Sequence, residues 1–173
     1  MIRSAPLPEQ ALLSKYTRAG AYTDCYILDF RGEVSHAKYV EAFYTSSVFK
    51  LERLILKWFV DKPSTDAEAR ELAAGRRNAF AAWTVEGRAA DQLLMCDYLR
   101  RTRSWLMVVP CGSKESPMTR LHFGSAIVPV IDKSTGRSTL GWPFKLLLGF
   151  HRLYSRVLLS SARTRLAELG TAD

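Results

Sequence analysis

The 173-residue sequence predicts an α+β fold in which an antiparallel sheet packs against a long C-terminal helix. Two periodicities and one short-loop argument carry this. From Pro143 to Leu169 the residues Phe144, Leu147, Leu148, His151, Tyr154, Leu158, Ala162 and Leu169 recur at helical spacing, so they share one face. Upstream, Phe80 to Val85, Gln92 to Leu99, Thr102 to Val109 and Arg120 to Val130 read as four strands, each bounded by Gly, Pro, Asp or Ser. The connections at Glu86-Gly87-Arg88 and Arg100-Arg101 are too short for crossover helices, so neighbouring strands are joined as hairpins.

Taken in order, residues 1–20 form a preamble in which Glu9 to Tyr16 has room for one or two helical turns. Tyr22 to Phe30 is rich in aromatic and β-branched residues and predicts a fifth strand, ended by Arg31-Gly32, that joins the sheet from a distance. Ser35 offers an N-cap to a helix whose apolar positions are Val40, Phe43 and Tyr44. Thr45-Ser46-Ser47 interrupts the pattern. Val48, Leu51, Leu54, Ile55, Trp58 and Phe59 then resume helical spacing up to Pro63, which predicts two consecutive helices or one kinked helix. Thr65 and Glu68 form a capping-box signature for a short helix stopped at Gly75. After the strands, Asp132 to Gly141 reads as a polar turn. Pro143 suits the first turn of the terminal helix and Gly170 its stop. No linker divides the chain, so a single domain over 1–173 is expected.

Strand parity gives both faces of the sheet apolar side chains. In Gln92 to Tyr98 the faces are Leu94, Cys96, Tyr98 and Leu93, Met95, Asp97; in Thr102 to Val109 they are Leu106, Val108 and Trp105, Met107, Val109. A sheet covered on one side alternates more cleanly. One face therefore packs on helices, and the other requires a pocket, a second layer or a partner subunit, a homodimer among the options.

Composition narrows the function classes. An apolar share of 47% and a charged share of 24% are those of a globular chain and not of a disordered one. Cys25, Cys96 and Cys111 are odd in number and far apart, which argues against a disulfide framework or zinc knuckle and makes a reducing cytoplasm the simplest compartment. The most apolar run, Phe144 to Phe150, is far shorter than the roughly 20 residues that span a bilayer. The net charge of +8 admits an anionic partner. The basic residues are nonetheless dispersed, without the aromatic and basic motifs of nucleic-acid readers, so nucleic acid is not the expected partner.

Two sequence segments add a resemblance to this order of elements. They are Ala90-Asp91-Gln92-Leu93-Leu94-Met95-Cys96-Asp97 followed by Arg103-Ser104-Trp105-Leu106, and Pro143-Phe144 with His151-Arg152-Leu153-Tyr154. Together with a strand, two consecutive helices, an antiparallel run and a long final helix, they resemble the helix-grip fold of the START-like (SRPBCC) superfamily, which includes polyketide cyclases and lipid-transfer proteins. The motifs look like a bacterial family of that fold whose function is not established. The likeness spans roughly residues 21 to 166. It implies a cavity between a curved sheet and the terminal helix that holds an apolar or amphipathic small molecule, and it transfers no catalytic residue. The five strands read here are fewer than the usual seven, which implies a smaller cavity or an open edge.

The candidate site residues follow from these elements. Trp83, Arg103, Trp105, His122, Phe123, His151 and Tyr154 are the expected ligand-binding set, with Arg103, His122 and Tyr154 orienting the ligand's polar end. The bland alternative is a packing role for each aromatic and a satisfied core histidine at His151. Asp97 and His122 are the candidates for acid or base work if the pocket belongs to a cyclase- or isomerase-like enzyme. Asp24 and Asp29, at the ends of the first strand, could each point into the cavity or meet a basic partner. A third reading, a basic surface for nucleic acid or membrane, would use Arg152, Arg156, Arg163 and Arg165. The three histidines lack any metal-ligand spacing, and no phosphate loop, nucleophile elbow or GxGxxG is present, so neither a metal nor a cofactor is expected.

Overall fold

In the computed structural model, the chain is α+β, with a seven-stranded antiparallel sheet and a long C-terminal helix. It describes residues 1–51, 53, 64–128, 130–131, 138–139 and 142–170, and at 130–131, 138–139 and 142–151 the backbone alone. The strands are β1 (Arg3–Ser4), β2 (Tyr22–Arg31), β3 (Ala79–Phe80), β4 (Trp83–Arg88), β5 (Gln92–Asp97), β6 (Thr102–Gly112) and β7 (Pro117–Ile127), in the spatial order β1-β2-β7-β6-β5-β4-β3. Two short strands, β8 (Val130–Ile131) and β9 (Ser138–Thr139), pair with each other. The helices are α1 (Ser14–Arg18), α2 (His36–Thr45), α3 (Asp66–Ala73) and α4 (Trp142–Gly170).

The main sheet has seven strands against the five expected, because both additional ones are two-residue edge strands too short to show a period. At one edge, Arg3 and Ser4 pair with Ile27 and Tyr26. At the other, the run Phe80 to Val85 is not one strand but a hairpin: Phe80 pairs with Trp83 across Ala81-Ala82, and Ala81 takes a positive φ of 51°. Further along, Arg120 to Val130 starts earlier, at Pro117, and ends at Ile127. Of the expected polar turn, 132–137, 140 and 141 lie outside the described residues, as do 52 and 54–63 of the second expected helix, Trp58 included.

The helix starts follow local chemistry. Ser35 Oγ accepts from the Lys38 N–H at 3.2 Å and opens α2, and Thr65 and Glu68 complete a reciprocal capping box at α3. Ser46, in an extended conformation, ends α2, and helix resumes at 47–51, so the Thr45-Ser46-Ser47 step is a break between consecutive helices. No helix among the described residues is long and apolar enough to cross a membrane.

The sheet has two covered faces. On the helical side Tyr26, Leu28, Leu93, Met95, Leu106, Leu121 and Phe123 meet Tyr39, Val40, Phe43 and Tyr44 of α2 and Leu158, Leu159, Ala162 and Leu166 of α4. Phe43 stands at the centre, its ring 5.1 Å from Phe123 and 5.8 Å from Phe49. On the opposite side Cys25, Ile27, Leu94, Trp105, Met107 and Ala126 are covered by the N-terminal segment through Leu7, Ala11, Leu12, Leu13 and Tyr16. The preamble is therefore the second layer that the two-faced strands require.

Gly124 records how closely that layer approaches. A Cβ built there would lie 2.9 Å from the Asp24 carbonyl oxygen, 2.9 Å from Trp105 Cε3 and 3.1 Å from Leu13 Cδ2. Glycine in a strand interior marks such an approach.

Candidate functional site

The sheet separates the sequence-predicted ligand residues. Trp83 and Phe123 lie on the helical side with Tyr154, whereas Arg103, Trp105 and His122 lie beneath the N-terminal segment. Alternation along a strand makes this unavoidable, since neighbours such as His122 and Phe123 must point to opposite faces. The His151 side chain lies outside the described residues.

Arg103 and Trp105 are engaged in holding that layer. Trp105 is fully buried and donates its indole N–H to Gln92 Oε1 at 2.9 Å. The same oxygen accepts from the Leu12 N–H at 2.9 Å, and Gln92 Nε2 donates to the Gln10 carbonyl at 3.3 Å. Arg103 Nε donates to Glu86 Oε2 at 2.5 Å and to the Tyr16 hydroxyl at 2.7 Å, while Tyr16 donates to Glu86 Oε1 at 2.5 Å. Lys15 Nζ adds an ion pair to Glu86 at 2.6 Å. A register shift between Val85 and Gly87 frees Glu86 from the strict alternation of β4, as a bulge does when it re-aims a side chain. The Tyr16 pKa is pushed up to about 12, mainly by burial and then by its bond to Glu86, so the phenol stays neutral and donates.

His122 is 6% exposed and its ring centre is 5.9 Å from that of Trp105. Burial, reinforced by the Arg120 charge, lowers its pKa and keeps the imidazole neutral. Asp97 stands at the other end of the sheet. Gln92 pairs with Met107, which pairs with His122, and Asp97 is five residues past Gln92, a separation of about 16 Å along the strands. The Asp97 carboxylate instead accepts from the Arg101 and Thr102 N–H groups at 2.7 and 2.9 Å, and closes the β5–β6 turn. Asp29 is held by Arg120 through bonds of 2.6 and 3.1 Å.

A groove of about 880 Å³ lies at the β2 edge of the sheet. One wall is the N-terminal segment, with Ala5, Pro6, Leu7, Ser14 and Arg18; the floor is Tyr22 to Tyr26; the other wall is α4, through Arg152 and Arg156. Tyr22, Asp24 and Tyr26 share a face of β2 by alternation, and Arg152 and Arg156 share a flank of α4 by their four-residue spacing. Arg156 lies over the Tyr26 ring at 5.4 Å, and Arg152 Nε reaches the Tyr22 hydroxyl at 3.4 Å. Since β1 pairs only with Tyr26 and Ile27, the Tyr22 end of β2 has no strand on its outer edge among the described residues.

Within the groove Asp24 Oδ1 accepts from Ser125 Oγ at 2.6 Å and from the Ser125 N–H at 3.1 Å. The Cys25 thiol pKa is pushed up to about 12, first by burial and then by Asp24, so it is neutral and unreactive. Arg18, Arg152 and Arg156 face Glu9 and Asp24, which leaves the lining one positive charge in excess. This arrangement can hold an apolar or aromatic body against Leu7, Tyr22 and Tyr26 and an acidic group against the guanidinium ions. From sequence, Arg152 and Arg156 enter only the third reading, a basic surface. The signal that places them beside Tyr22 and Tyr26 is the pairing of an i, i+4 basic flank with an i, i+2, i+4 strand face, which sequence alone does not bring together.

No group of three or more His, Cys, Asp or Glu side chains suited to a metal ion occurs among the described residues. No family model matches the chain, and no curated protein matches it.

Proposed function

We propose that the chain is a ligand-binding protein of the helix-grip type, and that it holds a small amphipathic molecule with an acidic end in the groove between the N-terminal segment, β2 and α4. The supporting observation is the juxtaposition of Tyr22 and Tyr26 with Arg152 and Arg156 in a groove of about 880 Å³, within the size range of small-molecule sites. The site lies on the flank of the final helix and not under its C-terminal half. There Leu158, Leu159, Ala162 and Leu166 are each at most 4% exposed and fill the space against the sheet. An acid or base role for Asp97 with His122 draws no support from their separation along the sheet.

The test joins native mass spectrometry of protein purified from its own host with a titration of the anionic apolar fluorophore 8-anilinonaphthalene-1-sulfonate. The expected results are a retained small-molecule mass and fluorophore binding that weakens about tenfold in Arg152→Glu/Arg156→Glu, a change equivalent to about 1.4 kcal/mol. Both arginines are exposed, so the variant keeps the parent's melting temperature. Fluorophore binding that is unchanged by the double substitution overturns the assignment of the site.

A further inference from the structure

The turn between β5 and β6 exposes large apolar side chains on a rigid support. Tyr98 is 52% exposed and Leu99 57% exposed, and Arg100 and Arg101 follow them directly. Such residues at a loop tip are often mobile, but here the backbone is held from several sides. The Arg100 N–H donates to the Asp97 carbonyl at 2.9 Å, the Asp97 carboxylate takes the next two N–H groups, and the Val128 N–H donates to the Arg101 carbonyl at 2.8 Å. Arg100 adopts a positive φ of 57°, and its carbonyl accepts from Arg103 Nη1 at 2.9 Å. The turn is therefore built to keep Tyr98 and Leu99 facing outward.

The charge at this tip is one-sided. Its single carboxylate, Asp97, is turned back onto the Arg101 and Thr102 N–H groups, so the outward side chains are Tyr98, Leu99 and two guanidinium ions. Register places more cations at the same end of the sheet. Thr102 pairs with Ile127, and Ile127 with Tyr22, so the start of β2, where Arg18 of α1 and Arg152 of α4 line the groove, lies in the same row as the tip.

We propose that this end of the molecule docks on an anionic lipid surface, with Leu99 and the Tyr98 ring entering the interfacial region and Arg100 and Arg101 engaging the headgroups. Tyrosine suits that boundary because its ring is apolar and its hydroxyl stays wet. Leucine gains by leaving water for the acyl boundary. Each basic residue near an anionic leaflet raises the partition by about fivefold. A nucleic acid would use the arginines and the tyrosine ring but would draw nothing from an exposed leucine. The inference does not depend on the groove binding a ligand, although a groove opening at the docked end would exchange an amphipathic molecule with the bilayer.

The experiment is co-sedimentation of the full chain with phosphatidylcholine vesicles, with and without a minority of phosphatidylserine. Binding is expected only with phosphatidylserine and declines as salt is raised. Arg100→Gln/Arg101→Gln lowers the partition by about 30-fold, and Leu99→Ser by about tenfold; neither change shifts the melting temperature, because the side chains are exposed. Leu99→Trp supplies a second readout, an indole emission that moves to the blue when the anionic vesicles are added. The proposal is overturned if the anionic vesicles are not bound, or if the tip variants bind them as the parent does. It is also overturned if Leu99→Trp emission stays unshifted, or if the tip substitutions reduce binding to single-stranded RNA and leave vesicle binding unchanged.

Discussion

Replacing Gly124 with alanine tests the central architectural feature, the N-terminal layer pressed against the sheet. The added methyl would sit 2.9 Å from the Asp24 carbonyl oxygen, 2.9 Å from the Trp105 ring and 3.1 Å from the Leu13 side chain. The carbonyl belongs to the neighbouring strand and cannot withdraw without disturbing β2 pairing along its length. The indole is fully buried and tied to Gln92. Leu13, on the covering segment, is the neighbour best able to move, and its movement opens the layer. Forced overpacking of this kind costs about 1–3 kcal/mol. For a chain of this length each kcal/mol lowers the melting temperature by about 2–4 °C. The assay is urea and thermal unfolding of Gly124→Ala, Leu13→Ala and the double variant. Leu13→Ala alone costs about 2–5 kcal/mol through its cavity. In the double variant that cavity admits part of the displaced material, so the combined loss is smaller than the sum of the two single losses. Gly124→Ala unfolding at the parent's urea midpoint would refute the argument, because it would mean that the segment does not press on the sheet.

Two further outcomes follow from the same contacts. Glu86 is drawn upward by burial, but the bonds from Lys15, Tyr16 and Arg103 prevail and hold its pKa below the usual 4.5. A depressed carboxylate contributes stability that is present above its unfolded pKa and is lost as pH falls through the folded one. The melting temperature of the parent should therefore fall on acidification below about pH 4.5 more steeply than that of Glu86→Gln, and parallel curves would contradict the role of the cluster. Phe43→Ala should cost about 3–5 kcal/mol in urea unfolding and diminish the near-ultraviolet circular dichroism, since Phe43 joins Tyr39, Tyr44, Phe49 and Phe123; a loss under 1 kcal/mol would show that this ring set is not the core of the helical side.

Several parts of the fold were legible as local chemistry. Ser35, Thr65 with Glu68, and the Ser46 break act within one helical turn of where they stand, so their sequence context is their structural context. The edge strands Arg3–Ser4 and Ala79–Phe80 were not legible, because a two-residue pair has no period and is defined by its partner. The candidate ligand set failed to assemble for a related reason. Residue type and proximity of strands link its members, while parity assigns His122 and Phe123 to opposite faces.

By itself, the sequence determined the α+β class, the antiparallel strand run, the long final helix and the need for cover on both faces of the sheet. Each of these depends on spacing within one segment. Tertiary structure alone decided what supplies the second cover, that Arg103 and Trp105 fasten it, and that Arg152 and Arg156 come to stand beside Tyr22 and Tyr26. Those outcomes join positions eighty or more residues apart. The path the chain takes between such positions is set by the packing of all its elements together, which no local period encodes.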